Sequence, residues 1–305
     1  MKRDFIDLWN LDPDEGWQIV RRTKEIKEKR GEVSGVLKGK NFALLFTKPS
    51  TRTRVSFEVA IRDMGGSSLF LQESQLQISR GEDVKDTART LSRYVDGVIV
   101  RNHSHVWLEE FARWSGVPTI NALTDKSHPC QILSDVFTLY EKYGEDTKRI
   151  KIAYVGDGNN VCNTWLVGAG LFGLNLFVAT PEEHTPDSYY LQAGLDLCGF
   201  TGGNIYLTTN PTEAVKEADV VYTDVWVSMG DKNEEKKEAL KAFQVNEKLL
   251  SHAKPEVIVM HCLPAKKGEE ITEDIFERYA DIIFTQAENR LHSQKALLEF
   301  LYEEK

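Results

Sequence analysis

The sequence predicts an α/β protein of two domains, each a parallel β-sheet flanked by helices, with a cleft between them. Three observations carry that expectation. Short runs rich in Val, Ile, Leu and Phe alternate with stretches of helical period along the chain. The alternation pauses at the polar patch Glu145-Asp146-Thr147 and then restarts. At 305 residues, the chain exceeds what one hydrophobic core usually serves.

In the first half, strands are expected at Phe42–Phe46, Ser68–Leu71, Gly97–Arg101 and Pro118–Asn121. Helices are expected between them at Thr51–Met64, Asp83–Val95 and His105–Trp114. Val84, Ala88, Leu91 and Val95 recur at three- and four-residue spacing, which marks one buried helix face. Gly65-Gly66 stops the first helix. A longer helix from His128 to Tyr143 ends at Gly144, and the boundary is placed there. Residues 1–144 then form one domain and residues 145–286 the other. A C-terminal helix from about 287 to 305 rejoins the first domain.

The second half reads as strand Ile150–Val155, helix Asn160–Phe172, strand Asn175–Ala179 and helix Pro186–Leu197. Strands near Asn204–Thr208, Val220–Asp224 and Val257–Met260 follow, with a last helix over about Ala287–Leu301. Val- and Ile-rich strands separated by helices imply parallel sheets covered on both faces. In such sheets ligands collect outside the strand C-terminal ends. The chemically loaded residues fall there: Ser50–Arg54 after the first strand, Arg101 ending the third, Asn159-Asn160, Asp224, and His261-Cys262.

Residues 46–54 read Phe-Thr-Lys-Pro-Ser-Thr-Arg-Thr-Arg, a buried strand turning into a helix. Unpaired N–H groups and the positive end of the helix dipole already favour an anion at such a point. Ser50 is a good N-cap, and Thr51, Arg52 and Thr53 crowd further donors around it. A plain surface cap needs one hydroxyl, not three interleaved with arginines. The segment lacks G-x-x-x-x-G-K-[ST], so it is not an ATP-type loop. It reads as a phosphate cradle.

Composition bounds the partners. The chain is 41% hydrophobic and 28% charged, with a formal net charge of −9. That acidity argues against nucleic acid, whose backbone needs a basic face. No run of about 18 apolar residues spans a membrane. The charged start Met1-Lys2-Arg3-Asp4 lacks the apolar core of a secretory signal, so the cytoplasm is expected. Cys130, Cys162, Cys198 and Cys262 are dispersed without C-x-x-C and are expected to be reduced thiols.

Four ordered motifs sharpen the reading: Ser50-Thr51-Arg52-Thr53-Arg54, His128-Pro129-Cys130-Gln131, Asp224-x-x-x-Ser228-Met229-Gly230 and His261-Cys262-Leu263-Pro264. Together they resemble the signatures of the ornithine carbamoyltransferases, over essentially the whole chain. The resemblance implies transfer of a carbamoyl group from carbamoyl phosphate to the δ-amine of L-ornithine. It also implies a homotrimer, or a multiple of trimers, with no metal and no cofactor. The first domain becomes the carbamoyl phosphate-binding domain and the second the ornithine-binding domain.

By that resemblance Ser50, Thr51, Arg52, Thr53 and Arg101 bind the phosphate. His128 and Gln131, read as i and i+3 on one helix face, address the carbamoyl end. His128 donates to the carbonyl oxygen, and Gln131 accepts from the NH2 group. Gln77 resembles a loop residue that reaches carbamoyl phosphate from a neighbouring subunit. Arg290, with the backbone of Cys262 and Leu263, closes over the same ligand. Asn160, Asp224, Ser228 and Met229 are expected to bind ornithine, within a loop over Val225–Asn233 that folds over it. His128, Arg101 and Cys262 are the candidate catalytic residues. Either Cys262 as a thiolate, aided by His261, or the departing phosphate takes the amine proton. Thr47 stands where the family often carries glutamate.

Other readings are weaker. Gly156-Asp157-Gly158-Asn159-Asn160-Val161 imitates a dinucleotide fingerprint, yet the third glycine and the acidic residue for a ribose are missing. His103-Ser104-His105 and the two His/Cys pairs fit no usual zinc spacing. A non-catalytic protein on the same fold is disfavoured by the complete set of reactive residues. Within the enzymes, the alternative is a carbamoyltransferase acting on a related amine, putrescine or N-acetylornithine. The carboxylate of Asp224 is a poor partner for a substrate without an α-amine.

Overall fold

A computed structural model describes residues 2–32, 34–72, 74, 76–77, 81–227 and 233–303. The chain forms two compact units, Met1–Phe137 with Asn289–Lys305, and Thr138–Glu288.

The first unit starts with α1 (Pro13–Glu28), followed by β1 (Asn41–Phe46), α2 (Thr51–Asp63), β2 (Ser67–Gln72) and α3 (Val84–Leu91). Next come β3 (Gly97–Arg101), α4 (His105–Trp114), β4 (Thr119–Leu123) and α5 (Pro129–Tyr143). The four strands are parallel in the order β2-β1-β3-β4. Because β2 and β3 lie on opposite sides of β1, the order reverses at β1, and β1 and β3 end beside each other, with Phe46 paired to Arg101. Residues 42–46 of β1 are buried without alternation, as expected of a strand covered on both faces. One core under this sheet gathers Ala43, Leu45, Val98 and Val100 with Ala88 of α3 and Leu108 and Phe111 of α4.

The second unit contains β5 (Lys151–Val155), α6 (Asn160–Phe172), β6 (Asn175–Ala179), α7 (Ser188–Thr201), β7 (Asn204–Thr208), α8 (Pro211–Val215) and β8 (Val220–Thr223). Then follow α9 (Glu234–Leu240), α10 (Glu247–Leu250), β9 (Ile258–His261), α11 (Glu273–Arg278) and α12 (Ala280–Tyr302). Its five strands are parallel in the order β7-β6-β5-β8-β9. The reversal here falls at β5, so the ends of β5, β8 and β9 are neighbours. Thr223 pairs with His261, which brings the next residues, Asp224 and Cys262, side by side.

Several bounds differ from the sequence reading for physical reasons. The unit boundary lies inside α5 rather than at Gly144: the last turn of α5 belongs to the second unit, where the Tyr143 hydroxyl donates to the Asp219 carbonyl at 3.4 Å. The last helix begins at Ala280, not near Ala287, and the second unit ends within it. The third helix stops at Leu91 instead of reaching Val95. The opening helix α1 is set by Asp12, Pro13 and Glu15: the Asp12 carboxylate accepts from the Glu15 N–H, and the Glu15 carboxylate from the Asp12 N–H.

No helix among the described residues is long and apolar enough to cross a membrane.

Candidate active site

In the first unit the phosphate-cradle residues stand at the start of α2. Ser50 is extended (φ −156°), and its hydroxyl accepts from the Thr53 N–H at 3.4 Å. Thr51 is exposed, Ser50 and Arg52 half-buried and Thr53 buried, so the donors grade from solvent inward. Arg54 leaves this group. Its Nε donates to Glu58 Oε1 at 2.9 Å and its guanidinium lies 3.7 Å from the centroid of the Phe70 ring. Two residues along, just over half a turn of helix, Arg54 points away from the side where Arg52 sits.

Thr47 ties this turn to the end of β3. Its N–H and its hydroxyl both donate to the Arg101 carbonyl, at 2.9 and 3.3 Å. The hydroxyl thus steadies Arg101 where a glutamate is common in the resembling family.

His128 does not lie within a helix, as the i, i+3 reading supposed. It precedes the first residue of α5, and its carbonyl accepts from the N–H groups of Gln131 and Ile132 at 3.0 and 3.3 Å. The ring is buried among Arg290, Arg101 and Arg52, and burial together with those three guanidiniums holds its pKa well below the ordinary 6.5. The imidazole is therefore neutral at physiological pH. A neutral ring amid fixed cations can donate one N–H without adding a charge of its own.

Gln131 is held at both ends of its amide. Its Nε2 donates to Asp135 Oδ1 at 2.8 Å, and its Oε1 accepts from Arg290 Nη1. Arg290 also donates through Nη2 to Thr53 Oγ1 at 3.3 Å. One guanidinium of α12 thus spans the start of α2 and the first turn of α5. Asp135 escaped the sequence reading. Its signal is spacing: it follows Gln131 by four residues on the same helix. Cys130 is inert here, its buried thiol donating to the Asn121 carbonyl at 3.3 Å and pushed up to about 12 by desolvation. Gln77 is exposed on the connection after β2, apart from this cluster.

In the second unit the ends of β5, β8 and β9 bring Asn159, Asp224 and Cys262 together. Asn159 caps α6, its Oδ1 accepting from the Val161 and Cys162 N–H groups at 2.9 and 3.1 Å. Its Nδ2 donates to Asp224 Oδ2 at 2.8 Å. Asn160 is the first residue of α6, half-buried at the positive end of the helix. The Cys262 thiol donates to Asp224 Oδ1 at 3.0 Å. Ser228 and Met229 lie outside the described residues.

The glycines of the β5 turn serve backbone geometry. Gly156 has φ +143°, and a Cβ on Gly158 would come within 2.4 Å of the His184 carbonyl oxygen and the Pro186 nitrogen. A close approach of backbones, not a pyrophosphate, accounts for this Gly-x-Gly.

His261 is not oriented to assist Cys262. Its Nδ1 accepts from the Leu263 N–H at 2.9 Å, and its Nε2 meets Glu270 Oε1 at 2.9 Å. An amide N–H only donates, so the ring proton sits on Nε2 and points to the carboxylate. Leu263 carries φ +59°, a conformation costly for a branched side chain and held by that bond. Asp224, His261 and Cys262 place one ligand atom each within 4.8 Å of one another, a donor set suited to a soft divalent ion. A metal there would have to displace the bonds these atoms already make. His105, half of the other candidate pair, bonds through Nδ1 to Thr124 Oγ1 at 2.8 Å.

Comparison with known proteins gives the family. The family profile for the carbamoyl-P binding domain of aspartate/ornithine carbamoyltransferase matches residues 3–141, and that for its Asp/Orn binding domain matches residues 148–301. An ornithine carbamoyltransferase of Aquifex aeolicus is 68% identical, covering 100% of this chain and 99% of that protein. The ornithine carbamoyltransferase structure from Pyrococcus furiosus superposes with a TM-score of 0.93 at 45% identity, covering 99% of this chain and 98% of that one. The anabolic enzyme from Campylobacter jejuni gives 0.93 at 41% identity, covering 99% of each chain. The chain belongs to the aspartate/ornithine carbamoyltransferase family.

Proposed function

We propose that this chain transfers the carbamoyl group of carbamoyl phosphate to the δ-amine of L-ornithine, giving L-citrulline and phosphate. The observation that carries the reading is Arg290 bonded to both Gln131 and Thr53 beside a buried His128 that lies in the field of Arg290, Arg101 and Arg52. Three cations match a phosphate, while a neutral donor and an amide oxygen match a carbamoyl group. Similarity over the full length to proteins named ornithine carbamoyltransferase supports ornithine as the acceptor.

In this reading the first unit, residues 1–137 with 289–305, binds carbamoyl phosphate through Ser50, Thr51, Arg52, Thr53, Arg101, His128, Gln131 and Arg290. Gln77, exposed on its loop, serves a neighbouring subunit of a homotrimer. The exposed Val55 of α2 and Leu69 of β2 support burial of this side of the unit by a second copy. The second unit, residues 138–288, binds ornithine. Asp224 takes the α-ammonium, Asn160 and the Met229 backbone take the α-carboxylate, and Ser228 lies in the same motif. Leu263 and Cys262 border the reacting groups. The four free, dispersed cysteines support a cytoplasmic location.

The amine nitrogen attacks the carbonyl carbon, and negative charge gathers on the oxygen opposite His128 and Arg101. The C–O bond to phosphate then breaks. The amine proton passes to the departing phosphate: the Cys262 thiol donates a hydrogen bond to Asp224, and a thiolate in that place would face a like charge.

A citrulline assay with ornithine, putrescine, N-acetylornithine and aspartate tests the reaction, with ornithine expected to win by orders of magnitude. Arg52→Ala should raise KM for carbamoyl phosphate, and Asp224→Asn should raise KM chiefly for ornithine. Turnover of another amine, or the reverse pattern of KM changes, would overturn the assignment.

A further inference from the structure

We propose that Asp135 is a positioning residue that fixes the Gln131 amide so that its oxygen, not its nitrogen, faces the acyl substituent of the substrate, and so selects a carbamoyl over an acetyl group. The inference rests on the reading that carbamoyl phosphate occupies this pocket.

The geometry gives the amide one orientation. Gln131 and Asp135 follow each other at i and i+4 on α5, both are buried, and Nε2 reaches Oδ1 at 2.8 Å. At the other end Oε1 faces Arg290 Nη1. A guanidinium can only donate and a carboxylate can only accept. Turning the amide by half a revolution would set N–H groups against the guanidinium and an oxygen against the carboxylate. Both bonds would be lost together, between side chains that are buried.

The consequence falls on substrate choice. An amide oxygen has two acceptor positions, and Arg290 takes one. The second can accept from a carbamoyl NH2. An acetyl group has the same shape but a methyl in that place, which leaves a buried acceptor unmet. Arg290 alone would still favour the oxygen-inward orientation, but Arg290 is also engaged with Thr53 and with the phosphate expected beside it. Asp135 is the partner of the amide nitrogen. The carboxylate does not itself touch substrate, so its effect should appear in discrimination, not in the chemical step.

Two phosphonates of equal shape make the test direct: phosphonoacetamide carries the NH2 and 2-oxopropylphosphonate carries a methyl. Calorimetry on the full chain should show the amide binding more tightly. In Asp135→Asn the side chain can present either a donor or an acceptor, so the preference should shrink by roughly tenfold or more. KM for ornithine should stay within about twofold. The double variant Asp135→Asn with Gln131→Glu restores a donor at 135 facing an acceptor at 131, and the preference should return. It also carries the test if the single variant does not fold. An unchanged preference in Asp135→Asn, an equal loss for both phosphonates, or a double variant without preference would overturn the proposal. Wild-type chain that makes no citrulline and binds neither phosphonate would instead overturn the function itself.

Discussion

Asn159 Nδ2 donates to Asp224 Oδ2 at 2.8 Å, while Asn159 Oδ1 closes the first turn of α6. One amide therefore serves a helix cap with its oxygen and a site carboxylate with its nitrogen, and the two duties can be separated. Asn159→Ala should lose the cap, about 1 kcal/mol, and raise KM for ornithine. Asn159→Asp keeps a capping oxygen but sets a second carboxylate against Asp224. It should melt closer to wild type than the alanine variant, yet bind ornithine worse. Thermal melts and ornithine KM for the pair decide this, and parallel changes in both would refute the division of labour.

His128 makes acid stability a specific readout. Its folded pKa lies below the ordinary 6.5 because burial and three arginines oppose its charge. Between those two values the unfolded chain binds a proton that the folded chain refuses, so stability falls as pH drops below about 6.5 and is complete above it. His105 is lowered in the same direction by burial. Replacing His128 with Asn should make the loss of stability between pH 7 and pH 5 shallower, with His105 left to account for the remainder. Denaturant melts at the two pH values measure it, and an unchanged slope would mean that His128 protonates freely in the fold.

Gly158 is the tightest backbone approach on the β5 turn, with no room for a methyl against residues 184–186. Gly158→Ala should therefore cost on the order of 1–3 kcal/mol, and it should also displace the turn that carries Asn159 and Asn160. A melting temperature equal to wild type would show that the 184–186 segment yields without cost.

Much of the frame was legible because it follows from local chemistry. The limits of β3, α4, α6, β6 and β7 agree with the sequence reading, since strand runs and helix caps are encoded within a few residues. The residue types at strand ends were legible, and parallel topology gathers one group of them at β1 and β3 in the first unit and another at β5, β8 and β9 in the second. What stayed hidden depends on side-chain direction. Arg54 belongs to the same five-residue motif as Arg52, yet its guanidinium rests on Phe70. His261 adjoins Cys262 in sequence, yet its ring is spent on Leu263 and Glu270. Asn159 bonds to Asp224, a partner 65 residues away that only the folded geometry identifies. One lysine of the charged helix α9 likewise has a partner that the sequence does not reveal.

That lysine is Lys236 of α9, whose Nζ lies 2.6 Å from Asp157 Oδ2 on the β5 turn, with side chains 23% and 7% exposed. Burial raises the Asp157 pKa above its usual 3.8, and Lys236 pulls it partly back. An acid raised in the fold binds its proton more tightly there than in the unfolded chain. Stability therefore declines as pH rises from about 3.8 through the folded pKa, and is level beyond it. Lys236→Met removes the counter-charge and moves that folded pKa further up, so the loss deepens at neutral pH. The variant should be less stable than wild type by about 1–3 kcal/mol at pH 7 and by much less at pH 4. Lys236→Arg should recover most of it. Because Asp157 shares its turn with Asn159 and Asn160, Lys236→Met should also raise KM for ornithine while KM for carbamoyl phosphate stays near wild type. Equal destabilisation at both pH values, or equal changes in the two KM values, would show that the pair is an incidental surface contact with no hold on the turn.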